Sequence, residues 1–389
     1  MKTQNRFTKS LMLVAVAVSL ASGLTHAQQR GRPQTLQVPS DQFPTIQSAI
    51  NAAANGDKVL VGPGVYEEIL TIAKRISITG SGALGERRTQ IVGPRPTEVV
   101  TLDRAIGVVN YRPDGGGKIE NLLIRGRDAG ILGVPVGDRS PAALEVKEVI
   151  IHQGGRGIAG SFSDLTVEQT KVADMLWHGV VLVRPKGKIL FSDSVVDLSL
   201  GIGFYSLNSE GGISLLNSTF GVNSKGGVVI VGSPVSVTKC YFYANNYAGI
   251  RLKNVQSAQI CHNLIKLTLP KQDDGRFGDG LVAECSQDVF VCQDGTNYAL
   301  DWLPPAIADN ARVGISSFLS HITLSGVTFD CNLFHVAGED GSIDGGVCSS
   351  VNEFSYDDLG GNQCGCDLQP VACQVVSPGL APPEPIPPT

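Results

Sequence analysis

The sequence predicts an all-β chain wound as a right-handed parallel β-helix, a solenoid of about ten to eleven coils. Three observations predict it. Ten-residue blocks beginning at Leu144, Leu165, Ile189, Ile213, Val235, Ala258 and Ile322 each carry an apolar third and eighth residue. Between blocks a glycine recurs ahead of alternating apolar residues, at Gly157-Ile158, Gly179-Val180, Gly227-Val228, Gly249-Ile250 and Gly280-Leu281. The strands so marked are rich in Val, Ile and Phe and lack helical periodicity, which argues against leucine-rich or ankyrin repeats. A repeat of roughly 21 to 27 residues cannot bury its own apolar face, so the coils must stack.

The third positions are Val146, Val167, Phe191, Leu215, Val237, Ile260 and Leu324, and the eighth are Ile151, Val172, Val196, Phe220, Phe242, Ile265 and Phe329. Ile119 and Ile124 carry the same five-residue spacing upstream. In this register Phe220 and Phe242 occupy equivalent places in adjacent coils and are expected to stack.

From the start of the chain, residues 1–27 read as a cleavable signal peptide. Lys2, Arg6 and Lys9 precede an apolar run from Leu11 to Leu24 and a small-residue site ending at Ala27. That run, at roughly 14 residues, is too short for a membrane span. The expected location is therefore secreted or periplasmic, with no transmembrane anchor. Residues 28–42 read as a linker. Ile46, Ala49, Ile50 and Ala53 fall at helical spacing after Pro44 and Thr45, so residues 45–54 predict a short helix capping the first coil. The β-helix is assigned to residues 43–334, a Cys-rich closing segment to 335–374 and a Pro-rich, disordered tail to 375–389. Two stretches break the period: the polar loop from Lys271 to Asp279, and a longer excursion from Cys292 to Ser320.

Loss of Lys2, Arg6 and Lys9 takes the formal charge from −5 to −8. An acidic chain is a poor match for nucleic acid, whose phosphates need a basic surface. All nine cysteines lie beyond residue 239. In an exported chain they predict at least two disulfides closing the C-terminal coil, with one thiol left over.

Candidate chemistry is sought on outward-facing positions. After each recurring glycine the first residue faces the core and the second faces out. This places Val181, Val183, Tyr205, Val229, Val231, Arg251, Lys253, Val282 and Glu284 outward on one mostly aliphatic face. Arg251, Lys253 and Glu284 are its charged residues, with Glu284 one coil after Lys253 at the equivalent place. Together with the acids Asp273, Asp274 and Asp279 of the neighbouring loop they form the candidate ligand site. The three aspartates make Ca²⁺ a candidate cofactor, although the regular calcium-loop patterns are absent. Replacing Arg251 and Lys253 together is expected to leave stability nearly unchanged, as for an exposed ion pair. The other strand exposes a polar ladder from Glu145 to Ser325. Asp193 and Asp197 are a nearby carboxylate pair at a bend, and Trp177-His178 sits just before Gly179.

The segment from Phe43 to Asp57 (FPTIQSAINAAANGD), followed by Val59 to Glu67 (VLVGPGVYE), resembles the opening of pectin-lyase-like β-helix proteins, pectin methylesterases included. With the later coils the resemblance spans about 43–334. The methylesterase Gly-x-Tyr-x-Glu is matched by Gly64 to Glu68, but the family's Gln-Asp-Thr-Leu and Asp-Phe-Ile-Phe-Gly motifs have no counterpart. Arg251-Leu252-Lys253 resembles the Arg-x-Lys of polygalacturonases, and His178-Gly179 half matches their Gly-His-Gly, without the paired aspartates. The resemblance implies an exported protein that binds or modifies an acidic extracellular polysaccharide. Its best enzymatic form is a pectate-lyase-like β-elimination, in which a base removes a proton while cations neutralise the carboxylate. The alternative is a noncatalytic surface, adhesion or periplasmic accessory protein whose partner is another protein, since an aliphatic outward face suits a protein surface or the chain's own closing segment.

Overall fold

The computed structural model describes residues 32–94, 100–270, 277–293, 305–340, 348, 353–366, 369–381, 384 and 386. The signal-peptide assignment lies outside these residues. Residues from Thr35 onward form one compact unit.

Each coil contributes three strands, and equivalent strands pair in parallel from coil to coil. The first ladder starts at Thr35–Val38 and Lys58–Val61, passes through Leu165–Glu168 and Ile189–Ser192, and ends at Ser355–Asp358. The second runs from Gly64–Tyr66 through Thr219–Gly221 and Tyr241–Tyr243 to Gln363–Cys366. The third runs from Leu70–Ile72 through Val228–Val231 and Ala248–Lys253 to Val375–Val376, and holds twelve strands. Twelve levels at about 4.8 Å each make a stack of about 53 Å, one coil longer than the repeat suggested.

The five-residue spacing has a backbone cause. Simple alternation would place inward residues two apart. Glu148, Gln169, Asp193, Asn217, Lys239 and His262, one per coil, adopt left-handed φ values between 45° and 58° at the corner between the first two ladders. The kink lets the third and eighth residues both face inward. Val167 pairs with Phe191 and Phe220 with Phe242, both in the predicted register. Asp193 is a corner residue for this backbone reason, and its carboxylate accepts from Asn217 Nδ2 at 2.6 Å. The recurring glycines mark the corner before the third ladder. A Cβ at Gly179 or Gly249 would collide with Val196 or Ile265 of the next coil, so these positions exclude any side chain.

Corner interiors are polar and linked from coil to coil by hydrogen bonds. Asn223 Nδ2 donates to Asn245 Oδ1 at 3.0 Å, whose own Nδ2 donates to the Phe220 carbonyl at 2.8 Å. Ser194 and Ser218 stack likewise at another corner, where Ser194 N–H donates to Ser218 Oγ at 3.2 Å. Cys240, buried and free, continues that stack: its N–H donates to Asn263 Oδ1 at 2.8 Å. Ser218 is therefore a buried corner residue.

At the second corner Val222, with φ 55°, is β-branched and 40% exposed. The left-handed region costs such a residue roughly 1–2 kcal/mol, whereas Asn tolerates it. Val222→Asn keeps the N–H bond to Tyr243 O and is expected to stabilise the protein by about 1 kcal/mol in urea unfolding. Destabilisation would show that the side chain, not the corner, governs this position.

Both ends are closed. Helix α1, Ile46–Ala52, lies inside the predicted 45–54 and buries Ile46, Ala49 and Ile50 over the first coil. Thr45 caps it in a reciprocal box with Ser48. The Glu68 carboxylate accepts from the N–H groups of Ile46 and Gln47, both at 2.9 Å, so this glutamate serves the helix N-terminus. Within the expected linker, Thr35–Val38 is a strand paired with Lys58–Val61 and buries Leu36 and Val38, because the first coil's open edge needs a partner.

The C-terminal half departs from the expectation in two ways. The helix does not stop at residue 334: Ser355–Asp358 and Gln363–Cys366 extend the first two ladders. The excursion after Cys292 also contains regular strands, Ala306–Ala308 and Val313–Phe318. An insertion at the first corner hid the five-residue spacing of this coil. Four disulfides staple the region: Cys261–Cys292 between paired strands, Cys285–Cys348, Cys331–Cys366 and Cys364–Cys373. Among the described residues no helix is long and apolar enough to cross a membrane.

Candidate functional site

The register on the third ladder is the predicted one. Val229 pairs with Arg251, Arg251 with Val282, and Lys253 with Glu284. All point away from the core, yet the face is not exposed. Val181, Tyr205 and Val229 are buried in an apolar cluster of their own with Ala129, Leu132 and Ala159, packed against Leu102, Ala105 and Ile386. A second cluster holds Tyr247, Val282, Phe277 and Phe318, packed against Leu380.

The cover comes partly from the tail. Sequence composition suggested disorder here; instead Val375–Val376 adds a parallel strand to Phe334–Glu339. The Glu339 carboxylate then accepts from Ser377 Oγ at 3.1 Å and from Leu380 N–H at 2.8 Å. Farther along, Glu384 N–H donates to Tyr247 Oη at 2.8 Å, and Arg251 Nη2 donates to the Glu384 carbonyl at 2.6 Å. The tail thus runs back over the outward face. It is held by one carboxylate, one phenol and one guanidinium.

Beneath it the charges are paired. Glu284 is fully buried and accepts from Arg251 Nε, while its other oxygen accepts no hydrogen bond and faces Lys253 Nζ at 3.5 Å. Arg251 Nη1 reaches Tyr247 Oη at 3.3 Å, with the guanidinium 5.4 Å from the ring centre. Burial pushes the Tyr247 phenol up to about 12, with Arg251 opposing and Glu284 reinforcing, so it stays protonated at neutral pH. This corrects the expectation of an exposed ion pair: removing both cations would strand a buried carboxylate.

Of the candidate calcium ligands, Asp273 and Asp274 lie outside the described residues. Asp279 is fully buried, accepts from Arg312 Nε at 2.7 Å and Ser316 Oγ at 2.7 Å, and is also paired with Arg312 Nη2. Arg312 in turn lies 5.0 Å from the Phe277 ring, which stacks on Tyr247 at 4.2 Å. Asp279 is spent on this ion pair and does not point into an open cation site. Sequence reasoning missed Arg312, Tyr247 and Phe277. The place of Asp279 two residues before Leu281, where a charge on the third ladder needs a partner, was the signal.

Four coils toward the N-terminus, Arg156 is buried on the same face. Its Nη2 donates to the Val100 carbonyl at 2.9 Å, and its guanidinium lies 4.5 Å from the Trp177 ring. Trp177 stacks on His178, whose Nδ1 accepts from Ile202 N–H at 2.9 Å. Burial, then the nearby Arg156 and Lys225 charges, push His178 down to about 3, so it is neutral and structural. Trp177 and His178 pack against adjacent turns. On the first ladder, an open groove of about 500 Å³ is lined by Leu190, Ser214, Ser236 and Gln259, with Lys188 at its rim. No carboxylate lines it.

The family model for a right-handed β-helix region matches residues 156–292, about a third of the chain. No curated protein matches in sequence. Among solved structures, the A-module of the Azotobacter vinelandii mannuronan C-5 epimerase AlgE6 is 15% identical, with a TM-score of 0.56, covering 87% of this chain and 94% of that one. The A-module of AlgE4 from the same organism is 16% identical, with a TM-score of 0.53, covering 85% and 94%. The periplasmic alginate epimerase AlgG is 13% identical, with a TM-score of 0.53, covering 80% and 77%. Taken with the three parallel ladders, this likeness shows that the chain has the right-handed parallel β-helix fold.

Proposed function

We propose that this is an exported, secreted or periplasmic protein that binds an acidic extracellular polysaccharide on the outward face of its third ladder, through Arg251 and Lys253. The observation that carries the reading is that one buried carboxylate, Glu284, anchors both cations, while Arg251 Nη2 is met by a main-chain carbonyl of the tail. Adding Arg312 and Asp279, the ladder side of the cluster holds three cations against two acids, and the third acid, Glu384, belongs to the tail, so a uronate carboxylate would stand in for a tail charge. The names of the similar structures, mannuronan and alginate epimerases, support a polymer of this class. The four disulfides support export.

The finer reading is a pectate-lyase-like β-elimination. Arg251 and Lys253 would neutralise the uronate carboxylate, a base from solvent would remove the C5 proton, and the C4=C5 bond would form as the C4–O bond breaks, the leaving sugar oxygen taking a proton from water. The pairing of both buried acids favours the alternative, a noncatalytic binding protein, because Glu284 and Asp279 are both fully buried beside their cations and neither reaches solvent to relay a proton.

Lys253→Ala tests the site without stranding Glu284, since Arg251 remains. It is expected to weaken binding of oligogalacturonate at least tenfold and to flatten the salt dependence. Unchanged affinity in the folded variant would refute the site. Ultraviolet absorbance of unsaturated uronate products decides between the two forms: its appearance with bound oligosaccharide means lyase, and binding without it means the noncatalytic protein.

A further inference from the structure

We infer that the outward face of the third ladder is a binding site for an extended, proline-rich peptide, filled in this molecule by its own tail, of which residues 375–381, Glu384 and Ile386 are described. The described tail residues are read in two ways. Main-chain groups are recognised directly: Leu380 N–H by Glu339, Glu384 N–H by Tyr247 and the Glu384 carbonyl by Arg251. Side chains are received by apolar clusters, Leu380 by the one that holds Val282 and Phe318, and Ile386 by the one that holds Tyr205 and Val229.

Prolines flank Glu384 and Ile386 in the sequence. A residue before proline is held extended, and such segments dock on aromatic-lined grooves because little chain entropy remains to be lost. Tyr205, Tyr247, Phe277 and Phe318 supply the aromatic lining here. Both main-chain groups of Glu384 are engaged by side chains, those of Arg251 in the strand Ala248–Lys253 and of Tyr247 just before it, which a merely apolar cover would not require.

Tethering raises the local tail concentration to the millimolar range, so weak contacts suffice to keep the groove filled in cis. One consequence rests on the polysaccharide reading above. A uronate carboxylate would compete with the Glu384 carbonyl for Arg251, and the tail would set the threshold for glycan binding.

The test uses the full mature chain carrying Leu380→Asp and Ile386→Asp. In the parent, the Leu380 and Glu384 amides are hydrogen-bonded; in the variant they are expected to exchange at least tenfold faster. A labelled synthetic peptide spanning Ser377 to Thr389 is expected to bind the variant saturably and the parent at least tenfold more weakly. A variant whose tail is released but which does not take up the peptide overturns the site. Unchanged exchange overturns the assignment of Leu380 and Ile386 as its anchors, and with it the peptide reading. Displacement by oligogalacturonate is a separate arm: bound peptide that the oligosaccharide fails to displace leaves the peptide site standing and removes the glycan reading.

Discussion

Phe220→Ala is expected to destabilise the protein by about 3–5 kcal/mol, the range for removing a fully buried aromatic ring. Phe220 is fully buried and meets a ring from each direction. Phe242 of the next coil stacks on it at 5.3 Å and 14°, Phe191 of the first ladder lies at 5.8 Å, and Phe204 of the third crosses edge-on at 6.3 Å. The surrounding rings sit on strands fixed by parallel pairing above and below, so the cavity cannot collapse. The loss should approach the upper half of the range. Phe220→Leu fills most of the space and should cost less than half as much. Urea unfolding with the disulfides intact measures both, and a loss below about 1 kcal/mol for the alanine variant would contradict the shared core of the three ladders.

The second large effect concerns Glu284. The pair it makes with Arg251 is buried, with side-chain exposures of 0% for Glu284 and 5% for Arg251. Glu284→Ala leaves the guanidinium and Lys253 without their shared carboxylate, and breaking a buried pair from one side costs about 3–5 kcal/mol. Replacing both partners is a different experiment. Arg251→Met with Glu284→Leu removes the stranded charge and fills the space with apolar atoms, so much of the loss should be recovered. It also removes the donor to the Glu384 carbonyl, so the tail amides of this double variant should exchange faster even where global stability is restored. A Glu284→Ala variant as stable as the parent would mean that Arg251 reaches solvent and that the face is open.

The sequence determined the coil. Its five-residue spacing records alternation interrupted by one left-handed corner residue, and its recurring glycines record where the next coil's Val196 or Ile265 leaves no room for a Cβ. Both are local steric facts, repeated until they become legible. The same periodicity placed Lys253 beside Glu284 and Phe220 beside Phe242, since register follows once the repeat is counted. Tertiary structure decided what lay beyond that local rule. The strand at Thr35–Val38 forms because the first coil has an open edge, and inserted residues hid the repeat spacing of the coil around Ala306–Ala308. Which outward face stays open also depended on long-range contacts. Arg251 is buried beside Glu284 under a tail more than a hundred residues beyond it, with Glu384 reaching Arg251 and Tyr247. Alternation along a strand tells which side of the sheet a residue occupies; what then covers that side is set by distant chain, and no local pattern encodes it.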